Sequence, residues 1–346
     1  MKRKRHVTAL VSTAARFAVL LVIAAAPWPA SFILAEELPE DLKGVGDKIV
    51  YETYRENNWE LFVVDADGSN AVNLTRTPET HELYPHVSPD GSKICFVSDE
   101  GEGASKIRNV YYMNRDGTGR TLVATNARQP CWNAEGTKIA YLQGESEQFC
   151  YTDYATKGIF VYDLATSDRW EHPNREIYHL YNLCWSPDGK WFLATVHAGM
   201  GYRHGILAIE AEGMKVYDLK IPGCRPDISP DGTKVAWGPS DWALRVGELD
   251  FSGPEPKVIN HRDVAISQKP MKIYHVDWSP DGRYVTFSRG PATKRLGLIP
   301  EIVGVPAEGW NICVADAAAV NRWMPLTTDG KCNKEPDWVP VEAKRK

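Results

Sequence analysis

An imidazole and three carboxylates, His86, Asp227, Asp277 and Asp337, occupy one position of a repeated sequence, two residues ahead of a Ser-Pro-Asp-Gly turn or its equivalent. Cys131 and Cys184 take that position in the two remaining copies. Two residues earlier stand Tyr84, Gln129, Asn182, Arg225, His275 and Glu335, every one able to hydrogen-bond. Imidazole with carboxylate is a donor set that takes a divalent cation or exchanges protons near neutrality. His86, His275 and Glu335 are the candidate metal ligands. Nothing in the spacing demands a cofactor: an aspartate at the second position also serves to brace neighbouring backbone N–H groups, and any water-filled channel is lined with polar side chains.

The elements that position these residues are strands. Ser-Pro-Asp-Gly occurs at Ser88–Gly91, Ser186–Gly189, Ser229–Gly232 and Ser279–Gly282, with a degenerate copy at Asn133–Gly136. Proline presets the first corner, aspartate accepts backbone N–H groups and glycine takes a positive φ, so the tetrapeptide is a turn in its own right. Before each turn lies a short segment ending in a large apolar residue (Val87, Trp132, Trp185, Ile228, Trp278). After it comes a second segment with period-two alternation, such as KICFVS from Lys93. A third segment ends at Asp or Asn, and a fourth is more polar, as suits an outer edge. Four strands per unit describe a propeller blade. Near the C-terminus EPDWVP (Glu335–Pro340) repeats the first segment and stops, while DKIVYET from Asp47 supplies its continuation. The expectation is an all-β fold: a six-bladed β-propeller of four-stranded antiparallel blades over 47–340, closed by pairing N-terminal strands with the C-terminal one. Residues 36–46 form a short lead and 341–346 a charged tail.

In a propeller the first strand of each blade lines the central channel. Tyr84, Gln129, Asn182, Arg225, His275 and Glu335 therefore form a tunnel-mouth ring, and His86, Asp227, Asp277 and Asp337 an inner one. The long connections fall after second and fourth strands and share one face, where insertions usually mark binding. That loop face carries Tyr151, Tyr154, Tyr178, His179, His197, Tyr202, Arg203, His204 and Trp310. Aromatic and arginine side chains suit a protein interface or a sugar platform.

Residues 1–35 read as a cleaved signal peptide, with a basic MKRKRH start and an apolar Phe17–Ala26 stretch too short to span a bilayer, so a periplasmic or secreted monomer without a transmembrane segment is expected. The chain has 40 basic against 45 acidic side chains, and five of the basic ones (Lys2, Arg3, Lys4, Arg5, Arg16) lie in that leader. The remainder is acidic, which argues against nucleic acid as a partner. Seven cysteines make an odd count with no Cys-x-x-Cys, so at least one thiol is left without an intramolecular partner.

The segments YPHVSPDGSKICFVS, WSPDGKWFLATV, DISPDGTKVAWG and DWSPDGRYVTFSR resemble the repeats of the TolB-type propeller family, over about Asp47 to Pro340. The resemblance implies an exported binding or scaffolding propeller for an envelope or secreted protein, or a glycan, without the α/β domain that precedes the propeller in that family. Prolyl-oligopeptidase-like peptidases share the repeat, but no Gly-x-Ser-x-Gly elbow is present. The chain is also similar in architecture to oligogalacturonide lyases, which supplies an alternative: a metal-dependent carbohydrate lyase with its site at the tunnel mouth.

Overall fold

Each Ser-Pro-Asp-Gly copy closes the same hairpin. Ser88 Oγ donates to Asp90 (2.6 Å), Gly91 N to the Ser88 carbonyl (2.8 Å) and Lys93 N to Ser88 Oγ (2.9 Å), and the other three copies repeat these bonds. Gly91 sits at φ 70°, a region a side chain rarely adopts. These four turns, with the degenerate Asn133–Gly136, join first to second strands in five of six sheets, in a computed structural model that describes residues 38–295 and 297–341. The expected leader over 1–35 and the tail from 342 lie outside the described residues.

The sheets are six four-stranded antiparallel blades. Blade 1 comprises His81–Val87, Lys93–Glu100, Ile107–Asn114 and Thr121–Ala124; blade 2, Ala127–Trp132, Lys138–Gly144, Thr156–Asp163 and Arg169–Glu171; blade 3, Leu180–Trp185, Trp191–Gly199, Tyr202–Glu210 and Val216–Asp218. Blade 4 comprises Cys224–Ile228, Lys234–Ser240, Ala243–Asp250 and Lys257–Ile266; blade 5, Met271–Trp278, Tyr284–Pro291, Asn311–Asp316 and Trp323–Pro325. Blade 6 takes its inner strand, Cys332–Val339, from the C-terminal end and the other three, Lys48–Arg55, Asn58–Asp65 and Val72–Asn73, from the N-terminal end. Ile49 pairs with Trp338 and Val50 with Asp337, the closure expected from the repeat.

Apolar residues of the second and third strands fill the spaces between blades, where Phe96, Phe192, Trp237 and Phe287 are fully buried. Each such side chain contributes about 1.5–3 kcal/mol by leaving water. One α-helix escaped the sequence reading: the lead holds a six-residue helix, Leu38–Lys43, too short to show a period. Its Leu38 and Leu42 are 1% exposed and pack with Tyr284, Ile312 and Trp338, against blades 5 and 6.

The inner strands depart from ideal pleat at one place. All six carry a register irregularity, and in each the residue four before the turn lies in the left-handed region: Tyr84, Gln129, Asn182, Arg225, His275 and Glu335, at φ 49–57°. A non-glycine residue there costs roughly 1–2 kcal/mol. Side chains compensate by accepting the N–H that the bulge frees: Glu52 for Tyr84 (2.9 Å), Thr195 for Arg225 (2.8 Å), Ser288 for Glu335 (3.2 Å) and Gln129 for Asn182. Proline follows the ring residue in four of the six strands (Pro85, Pro130, Pro226 and Pro336), and a residue without an N–H is tolerated where the ladder is interrupted.

Candidate functional site

The two ends of the channel differ. At the end bearing the long loops, the tunnel-mouth ring is buried: Tyr84 1%, Gln129 2%, Arg225 3%, His275 3%, Glu335 6% and Asn182 8% exposed. Two connections from opposite blades, 145–155 of blade 2 and 292–310 of blade 5, meet over the axis. Arg225 Nη2 donates to Asp153 Oδ2 (2.9 Å) from the first and to the Glu301 carbonyl (3.0 Å) from the second. His275 Nε2 is 3.0 Å from that same carbonyl and 3.1 Å from Glu335 Oε1. Lys334 Nζ, with a fully buried side chain, donates to the carbonyls of Pro300 (3.2 Å), Ile302 (2.9 Å) and Val305 (3.1 Å). Arg108 holds Asp99 through two bonds (2.6 and 2.9 Å) and reaches the Val303 carbonyl at 3.4 Å. Three basic side chains and an imidazole from four blades thus bind the backbone of 300–305 as a plug. Asp153, Glu301, Lys334 and Glu52 were missed in the sequence, because a loop or strand charge declares a buried partner only once the ring brings the two together.

Burial, with the charges of Arg225 and Lys334, holds His275 well below the usual imidazole range. Burial likewise pushes Glu335 well above the usual carboxylate range, against the opposing pull of Arg225. This ring is a cross-braced interior in which Arg225 lies between the faces of Tyr181 (5.5 Å) and Tyr274 (5.7 Å).

The other end, between the Ser-Pro-Asp-Gly turns, holds a cavity of about 650 Å³. The inner ring, His86, Cys131, Cys184, Asp227, Asp277 and Asp337, lines it together with tryptophans 132, 185, 278 and 338 and the turn residues. Each aspartate braces the next blade: Asp227 accepts from Trp278 N (3.1 Å), Asp277 from Trp338 N (3.0 Å) and Asp337 from Val87 N (3.3 Å). Two indoles return the link, Trp132 to the His86 carbonyl (2.9 Å) and Trp278 to the Asp227 carbonyl (3.2 Å). His86 Nδ1 is 2.9 Å from Asp337 Oδ2. The three candidate metal ligands are divided, His275 with Glu335 in the plugged end and His86 in the cavity. Among the described residues no group of three or more His, Cys, Asp or Glu side chains is disposed to hold a metal ion.

No protein-family model matches the chain. Among curated relatives, the Tol-Pal system protein TolB of Albidiferax ferrireducens is 33% identical over 93 residues, 27% of this chain and 20% of the relative. That of Bordetella pertussis is 32% identical over 111 residues, 31% of this chain and 22% of the relative. Among solved structures, TolB from Acinetobacter baumannii superposes with a TM-score of 0.58 at 18% identity, covering 85% of this chain and 67% of that one. The hydrazine synthase of Kuenenia stuttgartiensis gives 0.58 at 12% identity, over 87% and 48%. The structural likeness carries the fold, and the aligned segments carry the repeat type. The chain is a TolB-type six-bladed β-propeller. The match spans about a fifth of each of these curated relatives' own length.

The loop-face residues of this TolB-type propeller fall into separate groups. Tyr151 packs edge-on to Phe149 (4.9 Å) and accepts from Lys106 Nζ (3.1 Å). Tyr154, His179, His197 and His204 form a row on blades 2 and 3, with Tyr178 5.0 Å from His179 and Arg203 exposed. Tyr202 is half-buried against the core between blades 2 and 3. Trp310 is fully buried, its indole donating to the Pro291 carbonyl (3.1 Å), so it belongs to the core and presents nothing on that face. All seven cysteines are free thiols; Cys150 and Cys224 are partly exposed and the other five, Cys95 and Cys313 among them, are buried. No helix among the described residues is long and apolar enough to cross a membrane.

Two of the cavity carboxylates are held protonated above their ordinary range. Burial first, then the Asp337 charge, raises Asp227 to about 7, and burial with both neighbouring carboxylates raises Asp277 well above its ordinary range. Folded-state values above the unfolded value of about 3.9 mean that the folded propeller binds more protons between about pH 4 and 7, so stability falls as pH rises through that window. Asp277→Asn retains an acceptor for Trp338 N and removes one charge. Its unfolding midpoint is expected to exceed the parent's at pH 8 and to match it near pH 5; urea unfolding across pH that gives parallel curves would refute the assignment.

Proposed function

We propose that this propeller is a non-catalytic binding module of the cell envelope that takes a segment of a partner protein into the cavity between the Ser-Pro-Asp-Gly turns. The observation that carries the reading is the asymmetry of the channel: the long-loop end is filled by the chain's own loops and the turn end is open and built of tryptophan and carboxylate. Its lining holds Asp47, Asp90, Glu135, Asp227, Asp277 and Asp337, and among the described residues that line it His86 alone is able to carry positive charge. A basic segment with an apolar or aromatic residue complements it, the charge favouring encounter and the tryptophan walls supplying buried area. The name of the relatives, a Tol-Pal system protein, and the expected leader both support an exported protein with a protein partner. The sequence alone places the ligand over the long loops; the closed ring there favours the opposite face. A carbohydrate lyase draws no support from the candidate metal ligands, which the fold divides between the two ends.

The test is site-specific photo-crosslinking in cell-envelope extract, with the crosslinking residue at position 135 on the turn face or at position 203 on the loop face. A discrete protein adduct is expected from position 135 and none from position 203. Adducts confined to position 203 would move the site to the loop face, and retention of a glycan with no protein adduct would overturn protein binding.

A further inference from the structure

The hairpin joining the second and third strands of blade 3 holds two histidines that the channel does not use. Backbone pairing sets His197 directly opposite His204, with Gly199 opposite Tyr202 at the tip. The tip turns sharply, with Ala198 and Met200 at φ 51° and Gly201 at φ 82°. Residues opposed in an antiparallel ladder have side chains held side by side, and here the two Nδ1 atoms are 3.3 Å apart. That separation matches the bite of one ion: two metal–nitrogen bonds of about 2.0–2.1 Å at a tetrahedral angle place their nitrogens about 3.3 Å apart. Without a metal the same separation allows a hydrogen bond between the rings, the donor set by the tautomer.

Both rings are oriented from behind. The Gly223 backbone lies beside the His204 ring, and Tyr154 lies against His197 with ring centroids 4.3 Å apart and planes at 34°. His204 is exposed and His197 half-buried, so the pair opens to solvent.

We infer that His197 and His204 form a bidentate site for one transition-metal ion of the imidazole-preferring class, Zn²⁺, Cu²⁺ or Ni²⁺, through their two Nδ1 atoms. Water completes the coordination, since the described residues bring no third His, Cys, Asp or Glu into a metal-binding group. Imidazole donors without thiolate or a carboxylate cage select this class over Ca²⁺ and Mg²⁺. The site is on the loop face and is independent of the cavity reading above.

The test uses the full chain free of any affinity tag, titrated calorimetrically with Zn²⁺ alone and examined with Cu²⁺ by electron paramagnetic resonance. One ion per chain is expected, weakened by at least about tenfold in His197→Gln and in His204→Gln alike, the loss a single supporting contact already causes at other metal sites. His179→Gln, in the same row with its ring turned to Glu145 (3.2 Å), is expected to keep the ion. The metal-free unfolding midpoints of the variants serve as the folding control. One-to-one binding that survives either ligand substitution, or no binding by a folded parent chain, would overturn the site, as would loss in His179→Gln with retention in His204→Gln.

Discussion

Arg225→Met is expected to lower the unfolding free energy by about 3–5 kcal/mol, the cost of stripping one partner from a buried charge network. The side chain is 4% exposed and meets Asp153 at 2.9 Å, Asn182 at 3.3 Å, the Glu301 carbonyl at 3.0 Å and Glu335 at 3.7 Å. Methionine fills much of the volume and keeps contact with Tyr181 and Tyr274, so the loss isolates the charge from the packing. Removal leaves Asp153 and Glu335 buried without their shared cation and unpins both loops of the plug. Limited proteolysis should therefore find new cleavage within 145–155 or 292–310 under conditions where the parent resists. A variant with parent-like urea midpoint and cleavage pattern would show that the network is dispensable.

Lys334→Met should cost a similar amount, with a pH dependence that identifies the cause. Lys334 is 3.7 Å from Glu52, and both side chains are fully buried. Burial raises Glu52 above the ordinary carboxylate range while Lys334 opposes the rise, so removing the lysine lifts it further. The folded variant then binds a proton that the unfolded chain releases, and its stability falls as pH rises above the unfolded glutamate value of about 4.3. The gap between parent and variant should widen from pH 5 to pH 8. Adding Glu52→Gln, which keeps an acceptor for Tyr84 N, should recover part of the loss at pH 8, measured as a double-mutant cycle. Losses that are independent of pH and strictly additive would assign the effect to the three carbonyl bonds alone.

The fold was legible because its signals are local. A turn tetrapeptide, a large apolar residue before it and alternation after it recur at five of the six blades, and the broken copy at Glu335–Pro340 locates the shared sheet without any long-range information. The two rings were legible as positions, since counting from the serine finds the same place on every inner strand. Which ring meets solvent was not. That depends on where Asp153 and Glu301 come to rest, and nothing near either residue in the chain announces an arginine 72 or 76 positions away. The left-handed bulges were hidden for a related reason: glycine marks such a conformation, and here tyrosine, glutamine, asparagine, arginine, histidine and glutamate hold it.

The shared blade also sets an order of events during synthesis. Lys48–Arg55, Asn58–Asp65 and Val72–Asn73 are made first, yet the strand that covers the inner edge of Lys48–Arg55 is made last, as Cys332–Val339. Until then that edge presents unpaired N–H and C=O groups with Ile49, Val50 and Tyr51 beside them, the kind of template that recruits strands from other chains. The interval in which the nascent chain is vulnerable to aggregation therefore lasts while the other five blades are made, and it ends with the arrival of one eight-residue strand.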